Sequence, residues 1–228
     1  SPAKIYSALC IGGITQARLT SGTEEGKRAE QLARIIADYM LSIRFPEGSA
    51  YEYHVPTYHG PNIKNLKKKH MVLENHMVTM GVDAGTAFLD LYDLTGDDKY
   101  LDAAKKIAEN YVETQNEEGT WPLFVRWELG ESSTHLITIP TAMINYFDRL
   151  RTDYGIKGLD EATQKALNYV MENPVKTFNW QGQFEDIPPR ADYVNLSREQ
   201  ACELAMYLMR NKGDLKLAEE LIRFSEDQ

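Results

Sequence analysis

Three segments of the chain concentrate side chains suited to holding and cleaving a polyhydroxylated ligand. Residues 51–59 carry Tyr51, Glu52, Tyr53, His54, Tyr58 and His59. Residues 121–135 carry Trp121, Arg126, Trp127, Glu128 and His135, and residues 180–193 carry Trp180, Gln183, Glu185, Asp186, Arg190 and Tyr193. All three Trp residues of the chain fall in these segments. A sugar ring offers apolar C–H faces and a polar rim, so aromatic platforms edged by acids, amides and guanidinium groups match it. On that reading Trp121, Arg126, Trp127, His135, Trp180, Gln183, Tyr193, Tyr53, Tyr58 and His59 are candidate ligand contacts.

Two chemistries are open to these residues. Hydrolysis of a glycosidic bond needs one protonated and one ionised carboxylate, about 5–9.5 Å apart. Glu185 and Asp186 are adjacent, so in an extended loop their side chains diverge; one of them paired with Glu128 is the better arrangement. Elimination from a uronate needs a cation to offset the carboxylate and a base to take the neighbouring proton. Arg126 with His135 or Tyr193 could supply those parts.

Metal chemistry finds little support. His54 and His59 are separated by five positions and His70 and His76 by six, not the i, i+4 spacing of a helical zinc motif. No phosphate-cradling Gly loop and no recognisable Ser or Cys nucleophile is present. No metal and no cofactor is expected.

These segments must be positioned by something, and the rest of the chain reads as helices. Helical periodicity predicts elements over 23–44, 76–94, 98–114, 139–151, 159–171, from Ser197, and from Asp214 to near the end. Residues 123–128 could form one short strand. Residues 1–22 are read as an N-terminal segment, and 23–228 as a single all-α domain of antiparallel helical hairpins. Short Gly–Asp turns at Gly96-Asp97 and Gly213-Asp214 alternate with long connections at 45–75, 115–138 and 173–196. In consecutive antiparallel hairpins every second connection lies at the same end, so the three long segments would share one face.

Bulk properties exclude other classes. A formal charge of −9 gives no basic footprint for nucleic acid, and Lys67-Lys68-Lys69 is the one basic run. No apolar stretch approaches the ~20 residues of a membrane helix. Cys10 and Cys202 read as buried thiols rather than a disulfide framework. A secretory leader could have preceded Ser1, and an extracytoplasmic location, periplasmic or secreted, is the favoured expectation.

The turn Thr95-Gly-Asp-Asp-Lys-Tyr-Leu101 between two helices, followed by Gln115-Asn-Glu-Glu-Gly119-Thr-Trp121, resembles a hairpin of the α/α-toroid proteins. Within that group the chain most resembles the six-hairpin glycosidase-like carbohydrate enzymes. The resemblance implies inner helices ringed by outer ones, with the substrate cleft at the long-loop end. It implies a glycan-binding, glycoside-hydrolase-like activity, with a polysaccharide lyase or a non-catalytic glycan- or protein-binding module as alternatives. Gln115-x-x-x-Gly119-x-Trp121 also resembles the structural clasp of triterpene cyclases, which implies a packing role for Gln115 and Gly119. A complete six-hairpin ring needs twelve helices. The seven read here would make an arc, whose open edge would need the rest of a longer chain or a second copy to cover it.

Overall fold

The computed structural model describes residues 1–58, 74–180 and 198–226, and its first helix occupies the N-terminal segment. Ser1 caps helix α1 (Pro2–Leu19) by accepting a hydrogen bond from Lys4 N–H, and Pro2 sits in the first turn, where its missing donor costs nothing. The Gly12-Gly13 pair interrupts the sequence signal, but Gly13 serves the packing. A Cβ on Gly13 would lie 3.2 Å from both the Ala33 Cβ and the Ala29 carbonyl of helix α2 (Glu24–Ser42). Small residues on both helices let the two backbones approach. Thr23 caps α2 by accepting from Gly26 N–H at 3.1 Å.

The remaining helices are α3 (Met80–Thr95), α4 (Asp98–Thr114), α5 (Thr141–Tyr154), α6 (Asp160–Val170), α7 (Arg198–Arg210) and α8 (Leu215–Glu226). Each odd-numbered helix is joined to its successor by a short turn, giving four antiparallel hairpins among the described residues. Gly96 and Gly155 close α3 and α5 in the left-handed region, at φ 65° and 67°. Asp214 accepts from Leu217 N–H at 3.0 Å to open α8. Past α6 the chain widens into one π-helical turn, Met171–Val175, around Pro174, which has no N–H to donate to the regular ladder.

The second helix expected from the sequence begins later than His76. Residues Asn75–Met77 form strand β1, antiparallel to β2 (Phe124–Arg126), with His76 opposite Val125. A partner some fifty positions away decides this conformation, which local periodicity cannot register. The strand expected near 123–128 is present.

The chain divides into two compact units. In the first, residues 1–114 with 124–134, α1 packs on α2 and α3, and α4 packs on α3. Its core includes Cys10, Ile14, Ala37, Met40, Phe88, Leu91, Ile107 and Tyr111. In the second, residues 115–123 with 135–228, α5 packs on α6 and α7, and α7 on α8, around Met143, Phe147, Leu150, Ala166, Leu204 and Leu221. Within each unit the first helix of one hairpin thus meets the first helix of the next.

The first hairpin leaves apolar surface uncovered. Ile5 and Leu9 on α1 and Leu32, Ile35 and Tyr39 on α2 are exposed. Cys10 is buried and its thiol is pushed up to about 12, chiefly by burial; Cys202 is partly exposed.

Candidate functional site

The long connection after α2 folds at one end of the first unit. Ala3 N–H at the start of α1 donates to Pro56 carbonyl, and Asn110 near the end of α4 donates to Ala50 carbonyl at 2.9 Å. The termini of α1 and α4 therefore clamp the segment between α2 and β1. Inside it, Phe45 N–H donates to His54 carbonyl and Tyr53 N–H returns to Phe45 carbonyl, which makes a closed loop.

The second long segment joins the same end by backbone pairing. Ala50 N–H donates to Glu128 carbonyl and Tyr51 N–H to Trp127 carbonyl, each at 3.0 Å, while Trp127 N–H donates to Glu74 carbonyl. A tight turn follows: Gly130 takes φ 74°, and a Cβ there would meet the Ala50 Cβ at 3.0 Å. Tyr53, Arg126, Trp127 and Glu128 are therefore carried on one hydrogen-bonded scaffold. Trp127 stacks on Phe45, with centroids 4.7 Å apart and planes 8° from parallel, and keeps part of its surface open. Arg126 and Glu128 are exposed. Arg126 lies 3.6 Å from Glu131, an exposed pair worth little in stability.

Beneath this surface runs a buried polar chain. Met77 N–H donates to Thr57 Oγ1 at 2.9 Å, and Thr57 Oγ1 lies 3.1 Å from His76 Nδ1. His76 Nε2 lies 3.2 Å from His54 Nδ1. Each of the two contacts of His76 carries one proton, and which partner donates it is set by the tautomers of the two rings. His54 Nε2 makes no hydrogen bond of ordinary geometry to a described residue. Both rings are wholly buried and neutral. Burial drives the His54 pKa down to about 3, against a smaller upward pull from the Ile107 backbone. The pKa of His76 lies well below the ordinary range through burial and then through His54. Tyr51 and Tyr111 pack edge-on against His54. Gly81 completes the fit, because a Cβ there would come within 2.5 Å of both His54 Nδ1 and Tyr111 Oη.

Other sequence candidates sit elsewhere. In the second unit Trp121 has no exposed surface; it packs on Phe147, and its carbonyl accepts from Thr138 N–H and Thr138 Oγ1. Gln115 Nε2 donates to Gly119 and Ala162 carbonyls at 3.1 and 2.9 Å, so it ties the loop to α6. Gly119, at φ 92°, abuts the Lys165 backbone with no room for a side chain. Trp180 is also fully buried, and its Nε1–H has no partner among the described residues. Trp121 and Trp180 thus pack the interior here and present no open ring face. His135 is exposed. Tyr58 is half-buried and engaged. His59, Gln183, Glu185, Asp186 and Tyr193 lie outside the described residues.

Sequence reasoning missed Phe45, which supports Trp127, and the pairing of His54 with His76. The Arg44-Phe45-Pro46 sequence closing α2 was a signal only for the helix end. Among the described residues no group of three or more His, Cys, Asp or Glu side chains could hold a metal ion, and no helix is long and apolar enough to cross a membrane. Compared with known proteins, the chain matches no family model and no curated protein.

Proposed function

We propose that this chain is an arc of α/α-toroid hairpins whose long-loop end binds a glycan, and that it cleaves the glycan, alone or as part of a larger assembly. The observation that supports binding is the scaffold carrying Trp127, with Arg126 and Glu128 beside it in the chain and exposed. A partly open indole backed by a stacked Phe is a rigid platform for a sugar face, and the flanking ions suit its hydroxyl rim. The toroid reading is supported by the packing of first helix on first helix within each unit, and by hairpins joined through long segments. The exposed apolar residues of α1 and α2 fit an open edge of an arc, which a second copy or further chain would cover.

On this reading Glu128 supplies one catalytic carboxylate, as acid or as base or nucleophile, and hydrolysis is favoured over elimination. The test is a screen of neutral and uronate oligosaccharides. New reducing ends without the absorbance of an unsaturated uronate are the expected product. Glu128→Gln should then lower turnover ~10²–10⁴-fold with folding retained. Unsaturated products would reassign the chemistry to elimination, and binding without turnover would leave a glycan-binding module.

A further inference from the structure

The loop end carries a second cluster that the glycan reading does not use. Tyr53 adopts φ 68°, the left-handed region that non-glycine residues rarely occupy, and an aromatic residue held there is held by its surroundings. Two cations lie over its ring: the Arg44 guanidinium carbon 5.6 Å from the centroid and Lys106 Nζ 4.4 Å from it. One comes from the end of α2 and the other from α4, so the ring brings together charges from different elements. Neither has a carboxylate within ion-pair distance among the described residues. Arg44 uses only Nε, which donates to Leu41 carbonyl at 2.9 Å, and both of its Nη groups lack a described partner. Glu52, next to Tyr53 in the chain, turns its Oε2 to Gly48 N–H at 2.6 Å.

Two cations 4–6 Å from one ring repel each other; Lys106 is exposed, and the half-burial of Arg44 removes part of the water that would screen its charge. In a chain of net charge −9, with acids available to neutralise them, they stand unneutralised at the proposed ligand end. A bound anion relieves the repulsion and fills the vacant donors of the guanidinium fork, which matches a carboxylate or sulfate in shape.

The geometry points to an anion subsite formed by Arg44 and Lys106 and braced by Tyr53, which takes a carboxylate or sulfate substituent of the glycan. This inference rests on the glycan reading and narrows it to acidic glycans. The subsite orients the ligand by its charge while Trp127 takes the sugar face.

The test titrates the whole chain calorimetrically with three hexasaccharide probes: an oligogalacturonate, a chondroitin sulfate and neutral cellohexaose. Wild type should bind an acidic probe at least tenfold more tightly than the neutral one, with the preference shrinking as salt rises. Which acidic probe binds better distinguishes carboxylate from sulfate. Lys106→Gln, an exposed change, and Arg44→Gln, checked by circular dichroism, should each reduce acidic affinity about tenfold or more and leave neutral affinity unchanged. Unchanged acidic affinity in both variants overturns the subsite. Binding of the neutral probe alone overturns it too while the glycan reading stands, and binding of none of the three sinks both.

Discussion

At one end of the first unit, Arg34 and Asp38 of α2 meet Asp97 and Lys99 around the α3–α4 turn, through pairs at 3.6 and 2.8 Å whose side chains are a third to a half exposed. At the other end, the loops are held by backbone pairing over two histidines with no exposure at all. The first arrangement uses charges in water and draws modest energy from them. The second uses neutral polar groups removed from water, each of which must be satisfied by its neighbour. The comparison teaches where the long loops get their order: from a core that depends on protonation state, while the turns depend on ions that salt can screen.

Acid should therefore break one end and spare the other. Both histidines titrate near 6.5 when unfolded, but in the folded chain His54 titrates near 3 and His76 well below 6.5. Below pH 6.5 the unfolded chain binds protons that the folded chain refuses. Their contribution is thus complete above pH 6.5 and declines as pH falls toward 3. A ring that stays neutral costs about 1.4 kcal/mol per pH unit in that window, so His54 alone should remove ~3 kcal/mol by pH 4.5, and His76 acts in the same direction. Urea melts of wild type against His54→Gln/His76→Gln will read this as a steep acid slope that flattens in the double variant. Equal slopes would show that the pair does not set it.

A smaller effect follows from Gly81. Gly81→Ala forces a methyl into His54 and Tyr111 and should cost ~2–3 kcal/mol, with the loss in the loop end. Hydrogen exchange should show faster exchange at Met77 and Trp127 amides and little change around Asp97. The smallest effect belongs to the turn end: Lys99→Gln should cost no more than ~1 kcal/mol and nothing measurable in ~1 M salt. A larger, salt-insensitive cost would erase the distinction between the ends.

The legible parts of this molecule are those with local causes. Thr23 and Asp214 announce α2 and α8 because a cap acts within three residues. Gly12 and Gly13 depress local propensity and obscure α1, and the reason for Gly13, the close approach of α2, is tertiary. His76 looked helical and lies in a strand because its partner is Val125. The three Trp residues look alike in sequence, yet Trp121 and Trp180 are interior while Trp127 is partly open. Trp127 meets Phe45 and Trp121 meets Phe147, contacts between distant segments that local sequence does not show.

The most direct measurement of the central claim, that the loop end of the first unit binds glycan through Trp127, is a titration of wild type and Trp127→Ala with one panel of neutral and acidic oligosaccharides. Far-ultraviolet circular dichroism and urea melts run alongside. Removing a half-buried ring should cost about 1–2 kcal/mol in stability and leave the helices intact. The account predicts that wild type binds at least one member and that the variant binds it tenfold or more weakly. A variant that binds every member as wild type does, or a wild-type chain that binds none, would contradict it.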